Sequence, residues 1–370
     1  MIQRIALVLF ISLSFLTQNT KAQTTYPPDN NKKASVSENI GITTVTVHYS
    51  RPSVNGREGK IWGDLVHYGF KDLHYGTSKA APWRAGANEN TTIEFSTDVM
   101  IEDKPLAKGK YGFFIAMGAE KATIVFSKFS TAWGSFYYNA ADDALRVDVP
   151  VKHINESVER LTYQFDGQET NSAVLSLVWE KVKIPFKITV DLQKTQIEAF
   201  RREFNSGEFY RYWQNMNMAA NYCLVNNMNL EEALGWADRS INTFFGEANF
   251  TTLTTYAGLL EKLNRKKEAD SIMNKAMPLG KIPDLFNYGY GLAKAGESEK
   301  AYKVWKANFD KEPNNDYSIL GMAMAYYATN KKSDAIKMAN KGRDKAQDDG
   351  FKNYYSTLIT KMEAGKNIFE

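Results

Sequence analysis

Apolar residues recur at every second position over 41–192 and at every third or fourth position beyond it, and no single architecture satisfies both periods. In the first stretch Ile93 and Phe95 alternate with Thr92 and Glu94, and Tyr111, Phe113 and Ile115 share one face of the next run. The pattern continues through Ile124 and Phe126, through Leu145, Val147 and Val149, and through Leu161, Tyr163 and Phe165. It ends with Leu175, Leu177 and Trp179, then Ile184, Phe186, Ile188 and Val190. Successive side chains of a strand point to opposite faces, so this spacing predicts about nine short strands with one buried and one wet face. Turn residues separate them at Glu102-Asp103-Lys104-Pro105, at Gly118 and at Asp166-Gly167. Strands of this kind bury their apolar faces as an antiparallel β-sandwich of jelly-roll type. Spacing leaves the strand order open, and Greek-key links are the general expectation.

Past 192 the amphipathic period is helical: Phe200 and Phe204, then Tyr212, Met216 and Ala220, fall three or four residues apart. Ala233, Ala269, Ala301 and Ala335 recur at intervals of roughly 32 to 36 residues, the range of helical-hairpin arrays. The clearest unit spans 283–315, with Gly289 in its first helix, a turn at Gly296, Ala301 and Trp305 in its second helix, and Pro313 as the stop. The next unit repeats the pattern at Ala323, Tyr326 and Ala335. Over 229–365 these residues resemble the tetratricopeptide repeat, and the plainer alternative is an unrelated helical bundle. The resemblance implies stacked helix pairs whose inner surface takes extended peptides or partner domains. The cluster Phe209, Tyr210, Tyr212, Trp213, Asn215 and Asn217 belongs either to such a surface or to a packing seam between domains.

The expected plan is therefore a two-domain α+β protein. It comprises a signal peptide over 1–22, a flexible polar lead-in over 23–38, a β-sandwich over 39–191 and an all-α tetratricopeptide-like helical array over 192–370. Arg4, the apolar run 5–16 and Thr20-Lys21-Ala22 carry the signal, which is too short to span a bilayer and is followed at once by polar residues. They place the mature protein in the periplasm or outside the cell, with no integral membrane segment. The lone Cys223 cannot form an internal disulfide, so stability comes from burial. The formal charge of +4 falls to about +2 once Arg4 and Lys21 are removed, which gives no pull toward nucleic acid. His48, His67, His74 and His153 lack metal-ligand spacing, and no cofactor is expected.

One stretch carries more chemistry than a strand needs. It reads YSRPSVNGR from Tyr49, then IWGDLVHYG from Ile61, then WRAGANE from Trp83. Tyr49, Ser50, Arg51, Pro52, Ser53, Gly56 and Arg57 form the first block, and Gly63, Leu65, Tyr68 and Gly69 fall in the second. Trp83, Arg84, Gly86, Ala87, Asn88 and Glu89 form the third. With Trp133-Gly134, Tyr138, Leu145-Arg146-Val147 and Trp179-Glu180-Lys181, these blocks resemble the secreted bacterial domain-of-unknown-function family 2911 over about 39–190. That family has no defined activity. About a dozen extra residues, 70–82, separate the second and third blocks and depart from its pattern.

Arg51, Arg57 and Arg84 offer planar donor forks, Asn88 and Glu89 offer acceptors, and Trp83 an aromatic face. These six are the candidate ligand-binding residues, for a carboxylate, a phosphate or a glycan. The plainer alternative is a buried network in which Arg84 pairs with Glu89 and Trp83 plugs the loop. No nucleophile elbow, phosphate-cradling loop or metalloprotease helix appears, and a carboxylate beside His67, Asp64 or Glu89, is only weak warrant for acid–base chemistry. The sequence thus predicts a non-enzymatic protein that binds a protein partner through its helices, with the β domain as a second recognition surface. Its rival is small-ligand or glycan binding, or less readily glycan hydrolysis, by the β domain.

Overall fold

The computed structural model describes residues 30–207 and 211–369. The signal over 1–22, the start of the lead-in over 23–29, and Phe209 and Tyr210 lie outside the described residues. The chain divides into two compact units, 1–199 and 200–370.

The first unit is antiparallel throughout. Its strands are β1 (Lys32–Ile40), β2 (Thr43–Arg51), β3 (Thr91–Phe95), β4 (Val99–Ile101), β5 (Lys104–Leu106), β6 (Gly109–Ala116), β7 (Lys121–Ser127), β8 (Asp143–Pro150), β9 (Lys152–Asp166) and β10 (Ser172–Thr189). One sheet runs β1-β2-β3-β6-β7-β8 and the other β5-β4-β10-β9. The inward residues of both sheets form one core, in which Phe113 stacks on Phe186 at 5.6 Å and Tyr49 meets Tyr163 edge-on at 4.7 Å. Connectivity is close to a pair of meanders, without the Greek-key link expected on general grounds. In the larger sheet, neighbours in sequence are neighbours in space except where the β4–β5 hairpin leaves for the other sheet between β3 and β6. That hairpin turns on Glu102 and Asp103, both at positive φ, which matches the right-handed twist of its strands.

Two expectations are corrected. Residues 32–38, taken as flexible lead-in, are most of β1, paired with β2 from Lys32↔Arg51 to Ile40↔Thr43. The run was hidden because β1 is an edge strand: only Ala34, Val36 and Ile40 turn inward among lysines and serines, a composition that protects a free edge from pairing with other chains. The runs ending at Trp179 and starting at Ile184 are one 18-residue strand, β10, with a bulge at Glu180 instead of a turn. Glu180 takes φ 51 there, and its carboxylate accepts the N–H groups of Lys181 and Gly59.

Helix α1 (Leu192–Phe204) follows β10. The second unit then builds helix pairs: α2 (Trp213–Val225) with α3 (Leu230–Asn242), α4 (Phe250–Lys262) with α5 (Lys266–Ala276), α6 (Ile282–Lys294) with α7 (Ser298–Lys311), and α8 (Asp316–Ala328) with α9 (Lys332–Lys345). A single helix, α10 (Asp349–Glu363), packs on α9. The turns inside all four pairs share one design, and in the first of them Asn227 takes φ 49 while the Met228 N–H reaches back to Cys223. Asn264, Gly296 and Asn330 take φ 62, 82 and 60, and the next residue's N–H reaches back to Leu260, Leu292 and Tyr326. This is the Schellman cap, which needs glycine or asparagine at its left-handed position. Five residues on, Ala269, Ala301 and Ala335 are buried against the partner helix, so turn chemistry and close packing recur together.

Trp305 of α7 is the best-seated side chain of this unit. It is fully buried, its indole N–H donates to the Phe286 carbonyl at 3.0 Å, and its ring lies where any side chain on Gly289 or Gly321 would have to go. An added Cβ would sit 2.5 Å from the ring at Gly289 and 2.7 Å at Gly321. Cys223 on α2 is buried too, and burial pushes its thiol up to about 11. Among the described residues no helix is long and apolar enough to cross a membrane.

Two glycine substitutions test this packing. Gly321→Leu must displace Trp305 and is expected to destabilise the second unit by about 1–3 kcal/mol. Gly291→Ala meets nothing within 4 Å and should stabilise α6 by about 0.5–1 kcal/mol, from helix propensity alone. Urea unfolding with hydrogen exchange resolved along 200–370 checks both signs.

Candidate functional site

The WRAGANE loop is built around its own carbonyl groups. Ala85 is fully buried at φ 52, a left-handed conformation that costs a residue with a Cβ. What holds it there is its carbonyl oxygen, which accepts the Thr91 hydroxyl at 2.9 Å and the Tyr163 hydroxyl at 2.8 Å. Trp83 donates its indole N–H to the Gly86 carbonyl, and Arg84 donates to the Asn88 carbonyl at 2.9 Å. Gly86 is pressed on β2: a Cβ there would lie 2.8 Å from the Thr91 hydroxyl and 3.1 Å from the Ser50 carbonyl. Asn88 is again left-handed, at φ 59. Strain at two non-glycine positions is offset by the bonds to the carbonyls of Ala85, Gly86 and Asn88.

The six sequence candidates do not form one site. Arg51 ties β2 to β9 through the Leu161 carbonyl at 2.8 Å and the Thr162 hydroxyl at 2.6 Å. Arg57 closes its own turn on the carbonyls of Val54 and Ser53. Trp83 is only 8% exposed and packs with Trp62 and Trp179, so it belongs to the core and not to a ligand surface. Arg84 does not pair with Glu89. Its guanidinium lies over the rings of Trp133 at 5.3 Å and Phe136 at 5.6 Å, and burial lowers its pKa while leaving it charged. Asn88 accepts from Asn31, and Glu89 forms an exposed ion pair with Lys33 at 2.8 Å. The 70–82 insertion folds back on itself through paired Lys71–Ala81 bonds and leans on Phe136 through Tyr75. At His67, burial lowers the imidazole pKa, and among the described residues its buried Nδ1 has no hydrogen-bond partner.

Of the six, Glu89 lines a cleft of about 640 Å³. Its floor is a row of cross-strand partners on the outer face of the larger sheet: Ser35 opposite His48, His48 opposite Thr92, and Thr92 opposite Gly112. Gly112 ends the row for a steric reason. A Cβ there would lie 2.3 Å from the Phe129 carbonyl and 2.6 Å from the Asn90 amide, so only glycine lets the loop after β7 fold down as the cleft's wall. That wall, Ser130, Thr131 and Ala132, is zipped to the WRAGANE loop by Asn90 N–H to the Ala132 carbonyl and Gly134 N–H to the Asn88 carbonyl, both at 3.1 Å. Glu89 and Trp133 face each other across this short ladder. Trp133 is left 61% exposed.

Ser35, His48, Thr92 and Trp133 were not among the sequence candidates. The first three are ordinary strand residues until register aligns them, and Trp133-Gly134 after small polar residues was the one visible signal. Among the described residues no three His, Cys, Asp or Glu side chains come together as a metal site.

A second surface lies in the helical unit. Phe286 of α6, Tyr317 and Leu320 of α8, and Phe351 and Tyr354 of α10 line an apolar groove of about 370 Å³. Tyr317 meets Phe286 and Phe351 edge-on, each at 5.4 Å, so the rings form a ladder along the first helices of the last two pairs and the single helix α10.

Residues 31–188 match the model of the family described as "Protein of unknown function (DUF2911)". The match spans the blocks at 49–57, 83–89 and 179–181. No curated protein matches the chain. Among solved structures, YrrB, described as "a TPR protein with an unusual peptide-binding site", is 18% identical, with 43% of this chain and 98% of that one covered and a TM-score of 0.24. "MamA 41-end from Desulfovibrio magneticus RS-1" is 16% identical, with 42% of this chain and 97% of that one covered, at 0.25. "MamA RS-1 ArsTM double mutant" is also 16% identical, covering 41% and 95%, at 0.25.

If loop carbonyls and not the Glu89 ion pair hold this region, Arg84→Ala is expected to cost about 1–3 kcal/mol, by leaving the Asn88 carbonyl without its charged donor. Glu89→Gln weakens an exposed ion pair with Lys33 and should leave the melting temperature nearly unchanged. Thermal unfolding of both variants, with hydrogen exchange at the Gly134 amide, separates the two cases. A larger loss for Glu89→Gln would reverse the assignment.

Proposed function

We propose that this is an exported, non-enzymatic binding protein whose helical unit holds an extended segment of a partner protein. The groove lined by Phe286, Tyr317, Leu320, Phe351 and Tyr354 carries that reading. Tyr317 is 41% and Tyr354 46% exposed, although buried alternatives for large rings abound in the same unit. Exposed rings grouped in a groove mark a place where a partner supplies the missing contacts. Helix pairs suit this task, because each presents its first helix at a regular step and an extended chain can run across several of them.

The groove's rim sets the partner's chemistry. Asp348, which caps α10, lines the groove beside the apolar rings, while Asp316 opens α8 and Asp349, at the start of α10, pairs with Lys352 at 3.4 Å. The fitting occupant is a segment with an aromatic or aliphatic anchor flanked by lysine or arginine. Export is supported by Arg4, the apolar run 5–16 and Thr20-Lys21-Ala22. The β unit then serves as a second recognition surface.

Binding is tested by fluorescence anisotropy of the full chain with a labelled peptide in which lysines flank a phenylalanine, and with its glutamate counterpart. The lysine peptide is expected to bind saturably, with the glutamate peptide at least about tenfold weaker. Tyr317→Glu and Tyr354→Glu, both at exposed positions, should each weaken the lysine peptide by a similar factor. Equal binding of the two peptides, or variants that bind as the parent does, would overturn the groove as the docking site. Export is checked by N-terminal sequencing of the protein from fractionated producing cells: a start at Gln23 outside the cytoplasm is expected, and a cytoplasmic product that keeps Met1 would refute it.

A further inference from the structure

We infer that the first unit binds a neutral oligosaccharide, with Trp133 as the platform on which a sugar ring stacks and the adjoining cleft as the place where its hydroxyls are read. This site is separate from the peptide groove of the helical unit and does not depend on it.

Trp133 is costly to display. At 61% exposed it leaves most of a large apolar ring in water, yet the backbone on either side of it is bonded and its ring has defined neighbours. Its neighbours in the chain are bonded to the WRAGANE loop on both sides, Phe136 stacks on it at 6.0 Å, and the Arg84 guanidinium lies over both rings. The loop that presents it holds Ala85 and Asn88 in left-handed conformations. Backbone strain, a half-buried arginine and a glycine at 112 thus converge on the placement of one exposed indole. Core packing does not explain that effort, because the ring it positions is not in the core.

The rest of the surface gives the ligand's class. Glu89 lies opposite Trp133 across the ladder, where the flanking bonds belong to the neighbouring residues. Side chains of such a pair stand on the same side and close together, so the carboxylate and the ring face one occupant. The floor offers the Ser35 hydroxyl, the His48 imidazole and the Thr92 hydroxyl in one row, and the wall adds Thr131. Short side chains that both donate and accept suit an array of hydroxyl groups. Among the described residues that line the cleft, the one lysine, Lys33, is paired with the one carboxylate, Glu89, which gives an ionic ligand of either sign little to select it. A pyranose combines the two features that remain: its axial C–H bonds make an apolar face for the indole's electron-rich ring, and its rim is hydroxyl. The cleft's volume lies in the range of small-molecule sites, with room for a short oligosaccharide.

The test uses the full chain and a panel of neutral oligosaccharides, namely cellohexaose, xylohexaose, mannohexaose and chitohexaose, with calorimetry and tryptophan fluorescence as readouts. Saturable binding of at least one panel member is expected, weakened tenfold or more by Trp133→Ala, whose exposed side chain can be removed without a cavity. Thr131→Trp, which fills the cleft and leaves the platform in place, should abolish it. Circular dichroism melts establish that both variants are folded, and Tyr317→Glu should leave sugar binding unchanged. Absence of saturable binding across the panel overturns the proposal, as does a Trp133→Ala variant that binds like its parent. If no sugar binds and Trp133→Ala instead weakens the lysine peptide, the indole is a protein contact and the carbohydrate assignment is wrong.

Discussion

A single carbonyl oxygen, that of Ala85, organises the first unit's unusual surface. It accepts hydroxyls from Thr91 at the start of β3 and from Tyr163 on β9, so one atom joins the loop to both sheets. Tyr163 is wholly buried, and burial raises its pKa well above the ordinary phenol value, so it remains a hydroxyl donor across the physiological range. With Ala85 fixed in its left-handed turn, Trp83 faces the core and Arg84 faces outward. Residues 88–90 emerge in register with 132–134. The alternation of inward and outward side chains that builds the sheets is thus extended, through one strained residue, to a loop that builds a cleft wall.

The helical unit meets a different constraint by repetition. A helix pair cannot bury its apolar faces alone, so each must offer its neighbour the same shape. The left-handed caps at Asn264, Gly296 and Asn330 set how each second helix departs, and the buried alanines five residues later let it lie close to the first. Trp305 enters where Gly289 and Gly321 leave space, which locks the third and fourth pairs together. Where such packing is complete the rings are buried. Where the first helices of the last pairs and α10 line up, they leave a groove instead.

Much of this architecture was legible in the sequence. The change of period at 192 separated strands from helices, and the spacing of Ala269, Ala301 and Ala335 marked real hairpins. What failed did so for definite reasons. β1 was hidden because an edge strand is selected to look polar, and β10 was read as two strands because the bulge at Glu180 shifts the phase of its apolar residues as a turn would. The motif 83–89 was correctly singled out as unusual, but its residue types suggested donors for a ligand, whereas their donors serve neighbouring carbonyls. Hydrogen-bond demand of this kind is invisible in sequence, because the acceptors are backbone atoms common to every residue. The row from Ser35 to Gly112 was likewise unreadable until register placed four separated residues side by side.

That contrast bears on how a strained motif is interpreted. Arg51, Arg57 and Arg84 look like a binding site because arginine forks are costly to place, and the cost is real. It is spent one layer beneath the surface. Arg84 fixes the Asn88 carbonyl and lies against Trp133 and Phe136, so the arginine supports an exposed ring without itself being the exposed group. Glu89 is the point of contact between the two layers, since its backbone belongs to the strained loop and its side chain to the cleft.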